Sequence, residues 1–548
     1  MLRITGGTEV PKGRAQVPPP DSTGSGTLVP PAIGALLLLL TLLCSGAVSG
    51  KAAIDVQALY KTHCAECHNP ERLGAMGPAL LPQNLKRLRK KSAVEVITKG
   101  RPATQMPPFG DKLKSEEIQA LVELVYTPLE QIPEWGMAQI RASHLLPNSA
   151  EPLSDTPIFK ADMDNLFVVV ELGDHHATLL DGDSFEPIKR FRTRFALHGG
   201  PKYGPNGRYV YFASRDGWIS KFDIYNLKYV AEVRAGINTR NLAVSADGRY
   251  VIVANYLPHT LTILDASDLR PIKVIPAMDE LKQHSSRVSA VYTAAPRESF
   301  FAAMKDIKEV WEISYADQPP MGFSSWMHDY NPDAGEGNQE QQFAIRRVKT
   351  DDYLDDFFMN QDYSQIIGTS RSGGGQVVDL DLRRAVNTVA LPGMPHLSSA
   401  ITWEYKGRPV MATPNIKKGL VTVIDMQSWK VVKEIKTDGP GFFMRSHENS
   451  PYAWVDVFFG PNKDRMHVID KRTLEIVKTL KPMPGKTSAH IEFTKDGSHA
   501  LLSIWDKEGA LIIYDAKTLE EVKRLPMSKP SGKYNVHNKL TRSSGTSH

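Results

Sequence analysis

Cysteine is scarce in this chain. Its 548 residues include three cysteines, and two of them, Cys64 and Cys67, lie in one short motif. The third, Cys44, lies in an apolar run that we expect to be removed from the mature protein. No cysteine is then left over for a structural disulfide, so the pair has to be explained by the chemistry of its own motif.

The apolar run near the N-terminus is too short to cross a bilayer comfortably. It covers residues 33–44, and small residues follow at 45–50, a pattern typical of a signal peptide cleaved near Lys51. A misplaced start codon and an uncleaved anchor stay open as alternatives, and Cys44 lacks the small preceding residue of a lipoprotein site. We expect residues 1–50 to be a signal peptide, a periplasmic location and no stable membrane insertion.

A basic run with interleaved aromatic residues is also missing. The net charge is +5 and the sequence pI about 8.8, with the positive charge spread along the chain. This distribution does not predict nucleic-acid binding. The hydrophobic content of 41% is ordinary and is enough for one small and one large domain.

The motif that holds two of the three cysteines reads Cys64-Ala65-Glu66-Cys67-His68. This C-x-x-C-H spacing is the attachment signature of a c-type haem, with the two thiols joined to the porphyrin and His68 as an axial iron ligand. The alternative is a structural or redox-active C-x-x-C pair. Export agrees with the haem, which is attached outside the cytoplasm. We therefore predict an electron-transfer protein or a redox enzyme.

Residues 51–128 are expected to form a small helical cytochrome c domain. One helix should lead into the motif and another should cover Ser115–Tyr126, and the turn beginning at Gly77 should orient His68 through a backbone carbonyl. Met106, held in a proline-bounded loop, is the preferred sixth iron ligand, and Met76 is the rival. Ligation by His and Met raises the reduction potential of the haem.

The rest of the chain repeats itself. After a proline-containing linker at 129–160, we count eight units of short strands spaced about 40 to 50 residues apart, the period of propeller blades. An all-β eight-bladed propeller is therefore expected over 161–548, with seven blades as the alternative. The polar stretch 331–342 is expected to be a surface insertion. The second strand of many units ends in an aspartate that is expected to cap a turn, as at Asp265, Asp425, Asp470 and Asp515.

Loops that lead into the innermost strands of a propeller converge at one mouth of the central channel. At these positions, or past the last blade in the case of Tyr534, the sequence places His198, Arg240, His396, Arg445, His447, His490 and Tyr534. A single histidine there is more often structural than a ligand, but three at equivalent positions indicate a site. The arginines suit binding of carboxylates. The set matches what a second, carboxylate-rich tetrapyrrole needs.

A cytochrome c domain followed by such a propeller resembles the cytochrome cd1 group, in which the propeller binds haem d1. The resemblance covers nearly all of the mature chain. Within the group, the chain is similar to the NirN type, the dihydro-haem d1 dehydrogenases, rather than to the nitrite reductases. The segments that support this similarity are 76–82, 104–110, 194–202, 391–397 and 530–536.

The resemblance also argues against the reductase alternative. A pair of distal histidines protonates nitrite in the reductase pocket. His396 matches one of them, but the segment expected to hold the other, 355–361, has no histidine.

The resemblance implies roles for the channel residues. His198 would be the proximal ligand of the d1-type iron and His396 the distal ligand, while Arg445, with Arg240, would bind carboxylates. His490 and Tyr534 would be the acid–base pair at the reacting side chain. A neutral histidine with a pKa near 6.5 is a suitable base at neutral pH.

The implied reaction oxidises a propionate of dihydro-haem d1 to the acrylate of haem d1, the last step of its biosynthesis for denitrification. Electrons would pass to the covalent haem c and then to an external acceptor, with nitrite reductase and other haem d1 assembly proteins as candidate partners. The alternatives are a cytochrome cd1 nitrite reductase, a haem d1 carrier, and a propeller dehydrogenase using quinone or metal, for which we see no quinone-forming residues.

Overall fold

The computed structural model describes residues 54–75, 77–86, 88–100, 106–131, 134–148, 152–318, 342–370 and 373–541. The predicted signal peptide and residues 331–341 of the predicted insertion lie outside them. The α-helices of this part of the chain are α1 Val56–His63, α2 Ala65–His68, α3 Pro82–Leu85, α4 Lys90–Lys99, α5 Ser115–Tyr126, α6 Met137–Ala142 and α7 Val536–Leu540. Short 3-10 helices cover Met163–Asn165, Ala295–Arg297 and Leu397–Ser399.

Eight four-stranded antiparallel sheets, one per blade, follow the first six helices in the part of the chain that the structure describes. From its innermost to its outermost strand, blade one contains β32 Pro530–Asn535, β1 Phe167–Glu171, β2 His176–Leu180 and β3 Pro187–Arg192. In the same inside-to-outside order, blade two contains β4 Lys202–Tyr203, β5 Tyr209–Ala213, β6 Trp218–Asp223 and β7 Lys228–Arg234. Blade three contains β8 Asn238–Val244, β9 Tyr250–Leu257, β10 Thr260–Asp265 and β11 Pro271–Pro276.

The remaining blades have the same order of strands. Blade four contains β12 Val288–Ala294, β13 Ser299–Met304, β14 Glu309–Ser314 and β15 Ile345–Lys349. Blade five contains β16 Leu354–Met359, β17 Gln365–Ser370, β18 Gly375–Asp379 and β19 Arg384–Val389. Blade six contains β20 Ile401–Tyr405, β21 Arg408–Pro414, β22 Leu420–Asp425 and β23 Val431–Lys436. Blade seven contains β24 Met444–Ser446, β25 Tyr452–Asp456, β26 Met466–Asp470 and β27 Glu475–Leu480, and blade eight β28 Ser488–Phe493, β29 His499–Ile504, β30 Gly509–Asp515 and β31 Glu521–Met527.

The eight-bladed propeller is confirmed, and the seven-bladed alternative is wrong. The strands form because β-branched and aromatic residues fill them, and their hydrophobic cores lie between neighbouring blades. Ile252 and Ile263 of blade three, for example, pack in one buried cluster with Phe300 and Trp311 of blade four. Burial of these side chains between blades is the main force that holds the ring together.

Aspartates at strand ends cap turns as predicted. Each of them ends the third strand of its blade, however, and not the second as the repeat pattern suggested. Asp265 Oδ1, for example, accepts a hydrogen bond from the backbone N–H of Ser267 at 2.8 Å, and Asp515 Oδ1 accepts one from Lys517 at 2.9 Å. The difference arises because an innermost strand precedes the three that the repeat pattern reveals. That strand can be as short as Lys202–Tyr203, too short to leave a periodic signal.

The ring closes between the two ends of the propeller. Strand β32, near the C-terminus, pairs antiparallel with β1 and becomes the innermost strand of blade one, with Val168 opposite Tyr534. Tyr534 therefore does not lie past the last blade, as the sequence suggested. It occupies an innermost strand, as Arg240, Arg445 and His490 do.

The helical domain has the predicted helices. Helix α1 leads into the C-x-x-C-H motif, and α5 begins and ends at the predicted residues, burying Ile118, Leu121, Val122 and Val125. Asp55 caps α1 by accepting a hydrogen bond from the Ala58 N–H at 3.0 Å. No described helix is both long enough and apolar enough to span a membrane.

Arg234 connects the helical domain to the propeller. Its guanidinium, 3% exposed, donates hydrogen bonds to the carbonyl oxygens of Asp216 at 2.8 Å, Gly74 at 3.1 Å and Leu73 at 2.5 Å. It also lies 4.6 Å from the ring centre of Trp135, in the segment predicted as a linker. That segment contains α6, whose Ile140 is buried against the propeller. Ala79 and Leu81 add an apolar contact with Ile237 and Leu257.

We predict that Arg234→Met loosens the helical domain. The substitution keeps an apolar side chain beside Trp135 but leaves buried carbonyls without a donor, which should cost about 2–3 kcal/mol. Thermal unfolding followed at the haem c absorption would show the loss. Arg192→Met, on the exposed strand β3, is the control and should change stability by less than about 0.5 kcal/mol. Equal stability of the two variants would contradict the role of Arg234.

Candidate functional site

The C-x-x-C-H motif presents His68 for iron ligation. The His68 ring is 8% exposed, and its Nδ1 lies 2.8 Å from the carbonyl oxygen of Pro78, the backbone contact predicted from the sequence. A proton on Nδ1 leaves the lone pair of Nε2 for a metal, the usual arrangement of an iron-binding histidine. Burial lowers the pKa of His68, which favours the neutral ring. A Cβ at Gly77 would meet the ring at 2.6 Å, so only glycine allows the turn to pass this closely.

The sixth ligand of the haem c iron stays a prediction. Met106 is partly buried against the core of the helical domain, which also contains Phe109, on the side where the motif lies. Gly100 lets the chain turn back, since a Cβ there would lie 2.8 Å from the Met106 carbonyl oxygen. Met76 lies outside the described residues.

His198 is held by the innermost strand of the following blade. Its Nδ1 lies 2.5 Å from the carbonyl oxygen of Arg240. Gly199 and Gly200, both with positive φ, let the His198 loop approach its neighbours: a Cβ at Gly199 would lie 2.5 Å from Cβ of Asn241, and one at Gly200 would lie 2.7 Å from Cε1 of Tyr534. The structure thus brings His198, Arg240 and Tyr534 together, as predicted.

His396 has the same geometry on another blade. Its Nδ1 lies 2.6 Å from the carbonyl oxygen of Phe442, on the loop leading into blade seven, and its ring stacks on the Phe442 ring with centroids 4.0 Å apart. Nε2 lies 3.1 Å from the Ser398 hydroxyl. Burial lowers the pKa of His396.

The two histidines lead into opposite blades. The loop with His198 enters blade two, and the loop with His396 enters blade six, four blades further around the ring of eight. Blades so related face each other across the channel axis. With Nδ1 of each ring bound to a carbonyl, both can direct Nε2 to a metal from opposite sides, the geometry that bis-histidine ligation requires. The ligation itself stays a prediction.

His490 and Tyr534 lie side by side. Their ring centroids are 5.3 Å apart at an angle of 65°. His490 is 6% exposed, and its Nδ1 has no hydrogen-bond partner among the described residues. Burial, followed by the charges of Lys533, Arg445 and Lys539, lowers the pKa of His490 well below 6.5. Burial raises the pKa of Tyr534 to about 12, so its hydroxyl stays protonated.

The two predicted carboxylate-binding arginines differ in their surroundings. Arg445 is 3% exposed, and its guanidinium lies 2.8 Å from the Glu492 carboxylate, so part of its donor capacity is already used. Arg240 is half-buried with its guanidinium 4.7 Å from the Tyr256 ring centre, and its buried Nε has no partner among the described residues. Arg240 is therefore better placed to take a carboxylate.

The structure adds two lysines that sequence reasoning missed. Lys533 is fully buried on β32 and donates hydrogen bonds to the His490 carbonyl and, at 2.9 Å, to the Ser503 hydroxyl. Lys539, on α7, lies 5.5 Å from the Tyr534 ring centre. Burial lowers the pKa of both well below the usual lysine value. A lysine inside an otherwise buried innermost strand was the available signal for Lys533.

His447 is not a channel residue, and its expected place at the mouth is wrong. It follows β24 and lies at the end of that strand away from the loop of Phe442. It is fully buried, with Nδ1 accepting a hydrogen bond from the Asn449 N–H at 3.1 Å and its ring beside Phe493. Strand β24 has only three residues, and these carry the chain from one face of the propeller to the other. His447, which follows the strand, therefore lies on the face opposite the mouth.

The residues present fit an iron tetrapyrrole with carboxylate groups. Two opposed histidines present Nε2, and three basic side chains (Arg445, Lys533 and Lys539) outnumber the two nearby carboxylates, Glu492 and Asp456. Two buried nitrogens, on His490 and Arg240, lack partners among the described residues. Unpartnered buried donors indicate a missing ligand group. Together with the c-type motif, the site defines a cytochrome with two distinct haem-binding domains.

Comparison with known proteins identifies the family. Residues 161–539 match the family described as Cytochrome D1 heme domain, and residues 51–125 match Cytochrome C oxidase, cbb3-type, subunit III. The first match spans more than half of the chain, so the chain belongs to the cytochrome D1 heme domain family. The second confirms the predicted c-type cytochrome domain and its covalent haem c.

Three relatives illustrate the similarity. The chain is 54% identical over 504 residues to a dihydro-heme d1 dehydrogenase of Pseudomonas aeruginosa, covering 92% of this chain and 98% of the relative. It is 24% identical over 544 residues to a nitrite reductase of Stutzerimonas stutzeri, covering 88% and 92%. A solved structure of the dihydro-heme d1 dehydrogenase NirN in complex with DHE has a TM-score of 0.82 and 55% identity, covering 88% of this chain and 99% of that one.

We predict that Gly200→Ala displaces Tyr534. The new Cβ would lie 2.7 Å from Tyr534 Cε1, whereas ordinary contact begins at 3.4 Å, so the ring has to move by at least 0.7 Å. Gly407→Ala is the matched control, because Gly407 also has a positive φ but has no atom within 4 Å of an added Cβ. Crystal structures of the two variants would check this, and an unmoved Tyr534 in Gly200→Ala would contradict the close packing.

Proposed function

We propose that the chain is a periplasmic c-type cytochrome that oxidises dihydro-haem d1 to haem d1, converting a propionate to an acrylate. The observation that carries the proposal is the His490–Tyr534 pair beside two opposed histidines and a cluster of cations. The relatives named as dihydro-heme d1 dehydrogenases, at 54% and 55% identity, support it.

The reaction removes two electrons and two protons from adjacent carbons of the substrate side chain. His490 is the proposed base, because its lowered pKa keeps it neutral and able to accept a proton at pH 7. The same environment makes the imidazolium unfavourable, so the proton must leave quickly. Tyr534, beside it and protonated, is the proposed relay or positioning group.

The cations near this pair hold the substrate. Arg240 and Arg445, joined by Lys533 and Lys539, are proposed to neutralise the carboxylates of the tetrapyrrole, while His198 and His396 bind its iron. When bound, haem c accepts electrons one at a time. Cys64, Cys67 and His68, with Met106 as the sixth ligand, are the residues proposed to hold it.

The nitrite reductase alternative is weakened by the segment 355–361, which has no histidine. In its place, Asp356 accepts hydrogen bonds from the Tyr292 hydroxyl at 2.8 Å and from the Ser398 N–H at 2.9 Å. Ser398 also contacts His396. The segment therefore supports the His396 loop and supplies no second proton donor of the expected kind.

Location, partners and domain limits are part of the proposal. We propose that residues 1–50 direct export, that 51–128 form the cytochrome domain, that 129–160 connect it and that 161–548 bind the tetrapyrrole. An external electron acceptor is required because each turnover delivers two electrons to a one-electron centre. Nitrite reductase and haem d1 assembly proteins are proposed partners.

The pH dependence tests the base. Because burial and three cations lower the pKa of His490, the base stays neutral as the pH falls through 6.5, and the ring C–H proton NMR signals of His490, assigned with His490→Ala, should not titrate between pH 8 and pH 6.5. Their titration should appear only below that range. A shift of these signals, measured from pH 5 to 8, with its midpoint near pH 6.5 would show a histidine with an ordinary pKa and contradict this assignment.

Absorption spectroscopy tests the reaction. Mixing the purified protein with dihydro-haem d1 should convert the bound spectrum to that of haem d1 while the haem c bands become reduced. His490→Ala should lower the rate by roughly 10²-fold or more, whereas His499→Ala, at the far end of the same hairpin, should not. Binding without conversion in the presence of an electron acceptor would leave a carrier or a reductase, which a nitrite assay on the loaded protein would separate.

A further inference from the structure

Asp456 is a buried carboxylate that the proposed chemistry does not use. It lies at the end of β25, is 0% exposed, and forms no ion pair within the described residues. Its hydrogen-bond partners are main-chain amides: Oδ1 accepts from the N–H of Phe442 at 2.7 Å and of Phe443 at 3.0 Å, and Oδ2 accepts from the N–H of His490 at 3.4 Å. Burial raises the pKa of Asp456 to about 7. A buried carboxylate is costly, and the charge of Lys533 offsets only part of that cost, so the position of Asp456 calls for an explanation.

The Oδ1 contacts lead to His396. Phe442, whose N–H Asp456 binds, offers its carbonyl oxygen to Nδ1 of His396 and stacks its ring on the histidine. The orientation of the His396 ring, and with it the direction of Nε2, therefore depends on the main chain that Asp456 holds.

The Oδ2 contact leads to His490. This residue lies at an irregularity of strand β28, between Ala489 and Ile491, with φ of 50°, a left-handed conformation that is unfavourable for any residue except glycine. Two groups hold the peptide units around it: Asp456 binds its N–H and Lys533 binds its carbonyl. Phe443, also bound by Asp456, packs its ring 4.8 Å from the His490 ring.

We propose that Asp456 is the positioning residue of the site, a single carboxylate that orients both His396 and His490 through the main chain. Asp456 thereby fixes the position of His490, the proposed base, relative to His396, the proposed iron ligand on a different blade. The inference rests on the proposed function for the meaning of the two histidines, but their orientation can be tested without any turnover.

The two carboxylate oxygens of Asp456 bind different residues, so one substitution can remove a single contact and another can remove both. In Asp456→Asn, the amide oxygen can still accept from the two phenylalanine N–H groups, but the NH₂ group faces the His490 N–H, where donor meets donor. We expect this variant to release His490 and to leave His396 in place. Asp456→Ala removes both contacts and should release both histidines. Asp464→Asn is the control, since Asp464 is a buried aspartate of the same blade that accepts from the Gly485 N–H at 2.8 Å.

Proton NMR of reduced, haem c-loaded protein without tetrapyrrole gives the first readout. The Nδ1–H signal of His396 can be assigned with His396→Gln. Its chemical shift should be unchanged in Asp456→Asn and should change in Asp456→Ala. The second readout is dehydrogenation: kcat should fall at least tenfold in Asp456→Asn and stay near the wild-type value in Asp464→Asn. If Asp456→Ala does not fold, Asp456→Asn alone tests the proposal, which predicts a lowered kcat together with an unchanged His396 signal.

Two results would overturn the proposal. One is a folded Asp456→Asn protein with wild-type kcat, and the other is an unchanged His396 signal in a folded Asp456→Ala protein. Failure of the proposed function would look different, because the wild-type protein would then bind dihydro-haem d1 without converting it, while the His396 signal still responded to Asp456→Ala.

Discussion

The pairing of β32 with β1 is the contact on which the site depends. It closes the ring and places a strand from the C-terminal end in blade one, beside the start of the propeller. Tyr534 and Lys533 reach the channel through this pairing, and a Tyr203 hydroxyl hydrogen bond of 2.8 Å to the Tyr534 carbonyl fixes the strand against blade two. Since the side chains of a strand alternate between faces, a register shift by one residue would turn Tyr534 and Lys533 each to the opposite face.

The propeller repeat positions the two proposed iron ligands, His198 and His396, in the same way. Each histidine precedes an innermost strand, and its Nδ1 lies beside a main-chain carbonyl of the next blade, 42 residues on for His198 and 46 for His396. His68 obtains the same arrangement from Pro78 within a helical domain of a different fold. A carbonyl acceptor selects the tautomer, so the three proposed iron ligands share one physical rule.

The chemistry of the site follows from burial combined with an excess of positive charge. Arg445, Lys533 and Lys539 surround His490, with Glu492 and Asp456 as the nearby counter-charges, and this excess of basic groups disfavours protonation of the imidazole. The same excess suits a ligand with several carboxylates. A tetrapyrrole that brings negative charge would offset the desolvation of the lysines, whose pKa values burial lowers in its absence.

The sequence alone determined the class of protein. The C-x-x-C-H spacing, the helix at Ser115–Tyr126, the eightfold repeat and the histidines near the innermost strands are local patterns, and local patterns survive without knowledge of the fold. Only the tertiary structure decided which end of a short innermost strand faces the channel, and this excluded His447. Only it placed Tyr534 in blade one, added Lys533 and Lys539, and joined Asp456 to two histidines on different blades. These placements depend on contacts between residues that are far apart in the chain. A short strand has too few residues to show a periodic pattern, so the sequence does not predict them.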